Sequence, residues 1–210
     1  MPALEVSNLH LWRGERHVLR RLTFTLPEGR ALQLLWPNGV GKTSLLRTLA
    51  GFLHPEEGEI RWDGQLLAKV RGDWHRDLAW LGHELALKAD LTPVENLAFV
   101  LGLRRTVTRE WIEAQLAAAG LPGHCFELTA RRLSAGQQRR VALARLVAWD
   151  ARVWLLDEPA ANLDAAGQAF VAGIIDAHLA RGGSALIATH QPLPLDPARS
   201  SLWMEPAVAP

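Results

Sequence analysis

The residues with the greatest chemical potential form the run WPNGVGKT at positions 36–43. The run fits the pattern GxxxxGK[ST] except at its first position, and it lies between a predicted buried strand and a predicted helix. In that context the backbone N–H groups of a tight turn and of a helix N-terminus converge on one concavity, which suits a phosphate. The Lys42 ammonium can bridge β and γ phosphates, and the Thr43 hydroxyl can bind Mg²⁺. The candidate nucleotide contacts are Trp36, Pro37, Asn38, Gly39, Val40, Gly41, Lys42, Thr43 and Ser44.

The first position of this loop holds Trp36, where the pattern has glycine. A bulky residue does not readily adopt a positive φ, so we expect this side chain to hinder close packing of the loop on a phosphate. On that basis, replacement of Trp36 by glycine is expected to strengthen ATP binding or to leave it unchanged. The alternative is that the indole covers the nucleotide and contributes to binding.

Two carboxylates follow the apolar run VWLL, at residues 153–156. Asp157 is placed to hold Mg²⁺ through water, and Glu158 to accept a proton from the attacking water. The alternative is that the two acids only end a strand. We therefore expect Thr43 and Asp157 to bind the metal ion and Glu158 to be the catalytic base.

A histidine follows another apolar run, ALIAT at residues 185–189. Ligands of open α/β sheets gather at the carboxyl ends of the strands, where His190 would lie. His190 is therefore a candidate sensor of the γ-phosphate, and we expect it to be catalytic together with Lys42 and Glu158.

The run LSAGQQRRVALARL at residues 133–146 predicts a helix that is capped by Ser134. Gly136 lies in its first turn, so the free N–H groups and the positive end of the helix dipole can face a phosphate. The run resembles the signature motif of ATP-binding cassette (ABC) ATPases, which is commonly LSGGQ, and departs from it only at Ala135. The resemblance to ABC ATPases covers nearly the whole chain.

In ABC ATPases two copies meet head to tail, and each ATP lies between the phosphate loop of one copy and the signature of the other. The resemblance therefore implies a homodimer that binds ATP and Mg²⁺. It implies that Ser134, Gly136 and Gln137 act on the nucleotide of the partner copy. It also implies that Asp164 belongs to the loop that touches the partner and that His190 is the switch histidine.

Predicted strands and helices must position these residues. Along the chain the sequence predicts β-strands first, then a strand followed by a helix, then a block of helices, and finally a strand, a helix and a strand. Alternating residues predict antiparallel strands at 4–11 and 22–26, and continuous apolar runs predict buried strands at 30–36, 153–156 and 185–188. Helices are predicted at 42–50, 108–119 and 134–149, and Gly51 is expected to end the first of them. The tail from Gln191 onward is predicted to be irregular.

The resemblance implies an α/β fold made of a RecA-like P-loop ATPase core, an N-terminal antiparallel β layer and an inserted helical lobe. We expect one ABC ATPase domain over residues 1–210. Residues 1–87 and 150–210 would form the core and the β layer, and residues 88–149 the lobe.

Narrower features resemble one branch of this family. Residues 70–99, VRGDWHRDLAWLGHELALKADLTPVENLAF, together with the signature and the closing run ATHQPL, are similar to the CcmA family, the ATP-binding subunits of the cytochrome c maturation haem exporter. His83 fills the Q-loop position, where general ABC ATPases have glutamine and where this branch usually has histidine. His83 is therefore a further candidate nucleotide contact.

The narrower resemblance implies a function and partners. ATP hydrolysis would power haem export or delivery for c-type cytochromes, and the species moved stays open between haem itself and a haem-loaded chaperone. The partners would be integral membrane subunits, contacted around residues 82–90. The chain would lie at the cytoplasmic face of the bacterial inner membrane as a peripheral protein that touches the membrane only through its partners.

Composition narrows the class of protein. With 210 residues, 49% of them hydrophobic and 21% charged, the chain is long enough for one packed globular domain. The net charge of +1 excludes a strongly basic nucleic-acid binder, so no nucleic-acid partner is expected. No run approaches the roughly 18 apolar residues that cross a bilayer, and the single cysteine fits a reducing compartment. We therefore expect a soluble protein.

Two alternatives stay open at this point. The first is an ABC ATPase that serves another small exporter. The second is a soluble ABC ATPase without a transport role that acts on nucleic acid or ribosomes, or a nucleotide-sensing scaffold that hydrolyses ATP poorly because of Trp36. The adenine contact also stays open, since Trp12 could stack on the base but Arg13 lies equally close.

Overall fold

The computed structural model describes residues 2–161 and 163–204, without the side chains of Pro2 and Ala3. The described residues form two units, one from residues 2–80, 151–161 and 163–204 and the other from residues 81–150. The predicted helical lobe, 88–149, lies within the second unit.

The first unit begins with an antiparallel sheet, which confirms the predicted N-terminal β layer. Its strands are β1 (Pro2–Arg13), β2 (Arg16–Pro27), β4 (Glu57–Trp62) and β5 (Gln65–Leu66), and their spatial order is β2-β1-β4-β5. Leu4 of β1 stands opposite Leu26 of β2, and Leu9 opposite Leu22. All four leucines are buried. Leu22 and Leu26 share a face because alternate residues of a strand do, whereas Leu9 reaches the face of Leu4 through the register shift between Val6 and Leu9.

The same unit contains a parallel sheet. Its strands are β3 (Ala31–Leu34), β6 (Leu78–Leu81), β7 (Val153–Asp157), β8 (Ser184–Ala188) and β9 (Ser200–Trp203), in the order β6-β7-β8-β3-β9. Every residue of β7 and β8 is buried, which explains their continuous apolar sequences. Because β8 is parallel to both β7 and β3, the carboxyl ends of these three strands are neighbours.

The prediction of an irregular tail from Gln191 is wrong at residues 200–203. This segment forms β9, which pairs in parallel with β3 from Ala31↔Ser200 to Leu34↔Trp203. The strand is short and follows a proline-rich stretch, so its sequence gives little periodic signal. Pairing with β3 is a tertiary contact between segments far apart in the chain, and it decides the structure here.

The helices of the first unit are α1 (Lys42–Leu49), α2 (Arg71–Asp77) and α6 (Ala165–Ala180). Helix α1 follows the phosphate loop directly and is shorter by one residue than predicted. It buries Leu45, Leu46 and Leu49 in the core. Gly51, with a φ of +83°, turns the chain after its end, as a glycine at this position commonly does.

The helices of the second unit are α3 (Pro93–Leu101), α4 (Arg109–Ala118) and α5 (Ala135–Ala148). Each is capped by a hydroxyl side chain, from Thr92, Thr108 and Ser134 respectively. Helices α4 and α5 begin where the sequence predicts, whereas α3 is an additional helix. In the part of the chain that is described, no helix is both long and apolar enough to cross a bilayer.

Candidate nucleotide-binding site

The predicted phosphate loop connects β3 to α1, and the chain changes direction within it at two glycines. Gly39 and Gly41 have φ values of +76° and +118°, and Pro37 and Asn38 are exposed at the outer side of the loop. Gly41 precedes α1, whose first backbone hydrogen bond runs from Leu45 N to Gly41 O at 2.8 Å. The N–H groups of the first helical turn are not used within the helix, as anion binding at a helix N-terminus requires.

Lys42 is buried within this loop, with 7% of its surface exposed. Its Nζ donates a hydrogen bond to the carbonyl oxygen of Trp36 at 2.6 Å. Burial lowers the pKa of Lys42, and the carboxylates of Glu158 and Asp157 oppose that shift. The candidate phosphate-binding cation is thus held by a loop carbonyl and interacts electrostatically with the candidate base Glu158 and the candidate metal ligand Asp157.

Trp36 does not strain the loop. The residues of the loop with positive φ are Gly39 and Gly41, and Trp36 is not among the non-glycine residues with positive φ. Its indole is 1% exposed and lies in the hydrophobic core with Trp203. The expected steric conflict is therefore wrong, because the side chain leaves the loop on the core side. A buried indole also argues against the alternative that this side chain covers the nucleotide.

The remaining loop residues divide between core and surface. Val40 is partly buried against the same core, and Ser44 is buried in the first turn of α1. Thr43 is exposed, and its hydroxyl donates to Asp157 Oδ2 at 2.9 Å. A hydroxyl and a carboxylate are hard oxygen ligands of the type that Mg²⁺ prefers, so the two residues predicted to bind the metal ion fit it and lie in contact.

Glu158 and His190 meet at the neighbouring strand ends. Glu158 Oε1 lies 3.1 Å from His190 Nε2, and the Glu158 amide donates to Ala188 O at 2.9 Å. Burial is the main cause that raises the pKa of the Glu158 carboxyl, and the His190 imidazole opposes it. The φ of Glu158 is +52°, an uncommon value for a non-glycine residue that is often found at functional sites. A candidate base and a candidate γ-phosphate sensor are therefore in contact.

The signature residues lie in the second unit. Ser134 Oγ accepts from Gln137 N at 3.2 Å, and Gln137 Oε1 accepts from Ser134 N at 2.8 Å, so the two residues form a reciprocal capping box. Gln137 Nε2 also donates to Cys125 Sγ at 3.3 Å. Gly136 has open space where a Cβ would lie. The start of α5 is thus ordered by its own side chains.

Two further predicted contacts occupy separate places. His83 follows β6 in the second unit, and its side chain is exposed. Asp164 caps α6 in the first unit, where its Oδ1 accepts from Gly167 N at 2.8 Å. The nucleotide roles of both residues stay predictions.

Arg16, which the sequence did not suggest, contacts the phosphate loop. Its Nη2 donates to Gly39 O at 2.8 Å. Nearby in sequence, the Trp12 and His17 rings stack with centroids 3.7 Å apart, so one face of the candidate adenine-stacking residue is covered by an imidazole. The Arg16 contact spans 23 residues and joins the start of β2 to the phosphate loop, a relation that local patterns do not reveal.

Together these features define a class of protein. A glycine-turned phosphate loop lies between a parallel strand and a helix, and an Asp-Glu pair ends a strand in the same sheet, as in P-loop ATPases. The added antiparallel sheet and the helix that begins with LSAGQ are the features by which the chain resembles ATPases of the ABC type.

Comparisons with known proteins agree with this class. The sequence pattern of the ABC transporter family matches residues 19–161. The chain is 48% identical over 190 residues to the "Cytochrome c biogenesis ATP-binding export protein CcmA" of Dechloromonas aromatica, covering 90% of this chain and 92% of that protein. Its fold is similar to that of a putative ABC transporter ATP-binding protein from Pyrococcus furiosus, with a TM-score of 0.81, 26% identity and coverage of 95% and 96%. It is also similar to a dimeric structure of the bacterial ABC transporter cassette MJ0796, with a TM-score of 0.79, 23% identity and coverage of 90% and 88%.

The chain belongs to the ABC transporter family and, within it, to the CcmA family of cytochrome c biogenesis ATP-binding export proteins. ATP binding and ATP hydrolysis follow from this membership.

Proposed function

We propose that the first unit binds ATP with Mg²⁺ at the phosphate loop and hydrolyses it with Glu158 as the general base. The observation that carries this proposal is the convergence of Lys42, Thr43, Asp157, Glu158 and His190 at the carboxyl ends of three adjacent parallel strands. Ligands of open α/β sheets bind at such ends.

Each of these residues has a distinct role in the proposal. The Lys42 ammonium moves from the Trp36 carbonyl to the phosphates, and the backbone N–H groups of residues 39–43 bind phosphate oxygens. Glu158 accepts a proton from the attacking water, and His190, 3.1 Å from it, contacts the γ-phosphate and holds the carboxylate in place. Thr43 and Asp157 hold Mg²⁺, which neutralises phosphate charge when it is bound.

We propose that two copies of the chain complete the site. The signature residues Ser134, Gly136 and Gln137 would then act on the nucleotide of the partner copy, and the loop residue Asp164 would touch the partner. His83, at the Q-loop position, would be a further nucleotide contact. The MJ0796 cassette, to which the fold is similar, is dimeric. The exposed Ser134 and the open space at Gly136 support a role for the start of α5 in contact with a second molecule.

We propose that hydrolysis powers haem export or delivery in c-type cytochrome biogenesis. The CcmA relatives are named for ATP-binding export in cytochrome c biogenesis, and they match at 45–48% identity over most of this chain. In this proposal the ATPase acts with integral membrane subunits and lies peripherally at the cytoplasmic face of the bacterial inner membrane.

The direct test of the nucleotide site compares two lysine variants. Lys42→Ala removes the buried cation of the loop, whereas Lys69→Ala removes an exposed lysine elsewhere in the same unit. We expect Lys42→Ala to lose Mg-ATP binding in calorimetric titration and ATPase activity, and Lys69→Ala to keep both. Equal affinity and activity in the two variants would contradict the proposed site.

A further inference from the structure

The first residue of the phosphate loop is anchored in the hydrophobic core by a pair of tryptophans. The Trp36 and Trp203 rings meet edge to face, with centroids 5.0 Å apart and an interplanar angle of 89°. Trp203 also contacts Phe24, at a centroid distance of 5.3 Å. Glycine, which the loop pattern has at this position, offers no side chain for such an anchor.

The backbone of Trp203 also contacts the segment that leads into the phosphate loop. Strand β9 pairs with β3 as far as Leu34↔Trp203, and Leu35 N then donates to Trp203 O at 2.9 Å. The chain therefore enters the phosphate loop with one residue bonded to the Trp203 carbonyl and the next residue packed on its ring.

The pair of Trp36 and Trp203 is linked to the candidate phosphate-binding lysine, Lys42, by one hydrogen bond. The Trp36 carbonyl that accepts from Lys42 Nζ at 2.6 Å belongs to the residue whose ring packs on Trp203. The position of the Trp203 ring therefore limits how far Trp36 O, and with it the resting Lys42 ammonium, can move.

We propose that Trp203 is a positioning residue for ATP binding, which acts through Trp36 to keep the phosphate loop in its binding conformation. The inference rests on the proposed nucleotide site. A loop that is already ordered pays less conformational entropy when it binds a ligand, so loss of the ring pair lowers nucleotide affinity. Glu158 and His190 follow other strands, β7 and β8. Loss of order in the loop weakens the binding of ATP in the ground state and in the transition state alike, so kcat is unchanged.

The test replaces Trp203 by leucine, which keeps apolar volume but removes the ring. The four-residue pairing of β9 with β3 is a backbone contact, so the strand remains in the sheet. We expect the Kd and KM for Mg-ATP to rise about threefold to tenfold, the range that an edge-to-face aromatic pair supplies, while kcat is unchanged.

Three variants serve as controls. Trp203→Phe keeps a ring and is expected to restore affinity close to that of the parent. Leu202→Ala alters the neighbouring residue of the same strand, which is 52% exposed, and is expected to bind like the parent. Trp36→Gly removes the other ring and is expected to weaken binding, the reverse of the expectation from sequence.

The outcomes separate this inference from the proposed function. Parent-like Kd in a folded Trp203→Leu protein, or a fall in kcat at unchanged KM, would overturn the positioning role. Failure of the parent protein itself to bind Mg-ATP would instead overturn the proposed function. Folding of each variant is checked by its far-ultraviolet circular dichroism and by its melting temperature, which do not depend mainly on the removed ring.

Discussion

The pKa of the Glu158 carboxyl bears directly on its proposed role as the catalytic base. Its carboxyl is largely removed from water, with 18% of the side chain exposed, and burial raises its pKa. A carboxylate with a raised pKa is a better proton acceptor than an ordinary one while it stays ionised at neutral pH. The adjacent His190 and Lys42 favour the ionised form and limit the shift.

Replacement of Glu158 by glutamine tests the base directly. The amide keeps the shape of the side chain but cannot accept the proton, so we expect hydrolysis to fall by about 100-fold or more. Mg-ATP binding is expected to persist, since Lys42 and the loop N–H groups are unchanged. Steady-state ATPase assays and calorimetric titration measure the two quantities, and hydrolysis near the parent rate would remove Glu158 from this role.

The raised pKa of Glu158 predicts a pH dependence with a definite sign. Activity requires the carboxylate, so kcat is expected to fall as the pH is lowered, with a midpoint above about 4.3, the value for an ordinary glutamate. For stability, the unfolded state ionises first as the pH rises, so the ionised side chain destabilises the fold above that value. Glu158→Gln should therefore be at least as stable as the parent at neutral pH, and the difference in the free energy of unfolding should vanish in acid. A variant that is less stable than the parent at neutral pH would contradict the burial argument.

At the scale of elements, the sequence predicted those parts of the fold whose signal is local. The apolar runs of β7 and β8 and the hydroxyl caps of α4 and α5 are features of neighbouring residues, and they appear as predicted. The strand β9 and the Arg16 contact join segments distant in the chain, so no local pattern could predict them. The position of the Trp36 side chain could not be predicted either, because it depends on where the hydrophobic core lies relative to the phosphate loop.

The turn from the phosphate loop into α1 depends on a glycine. A Cβ on Gly41, where φ is +118°, would lie 2.8 Å from Val18 Cγ1 and 2.9 Å from Leu19 Cδ2. We expect Gly41→Ala to lower both the thermal stability and the affinity for Mg-ATP, since the backbone would have to move out of its binding shape. Gly72→Ala is the matched control, because Gly72 lies in α2 with open space around it and without a positive φ. Equal melting temperatures and affinities for the two variants would show that the loop does not need this conformation.

At the scale of the whole molecule, the phosphate loop and the signature belong to different units of the chain. In the proposed dimer the signature of one copy acts on the nucleotide of the other. Ser134 is a poor residue with which to test this, because its hydroxyl also caps α5 and its loss costs about 1 kcal/mol of helix stability. Gly136 is better suited, since a Cβ there meets no neighbour within the described residues.

Gly136→Ala is therefore expected to fold and to bind Mg-ATP like the parent. Its hydrolysis is expected to fall about tenfold or more, because a methyl group would stand where the partner's nucleotide approaches, and tenfold corresponds to only about 1.4 kcal/mol. Parent specific activity is expected to rise with protein concentration as the dimer forms. Undiminished hydrolysis in the variant, with parent activity proportional to protein where only monomer exists, would contradict a site shared between copies.

If ATP hydrolysis by this chain serves c-type cytochrome biogenesis, its loss must lower the amount of covalently bound haem in a host cell. A bacterium without its own CcmA protein receives the parent chain, Lys42→Ala or the exposed-site control Lys69→Ala. Haem staining of denatured extracts measures c-type cytochromes, and spectra of b-type cytochromes, which hold haem without covalent bonds, control for general haem supply. We expect the parent and Lys69→Ala to restore c-type staining, and Lys42→Ala to leave it absent while the b-type spectra stay normal. Normal c-type staining with Lys42→Ala present at the parent's level would contradict this role.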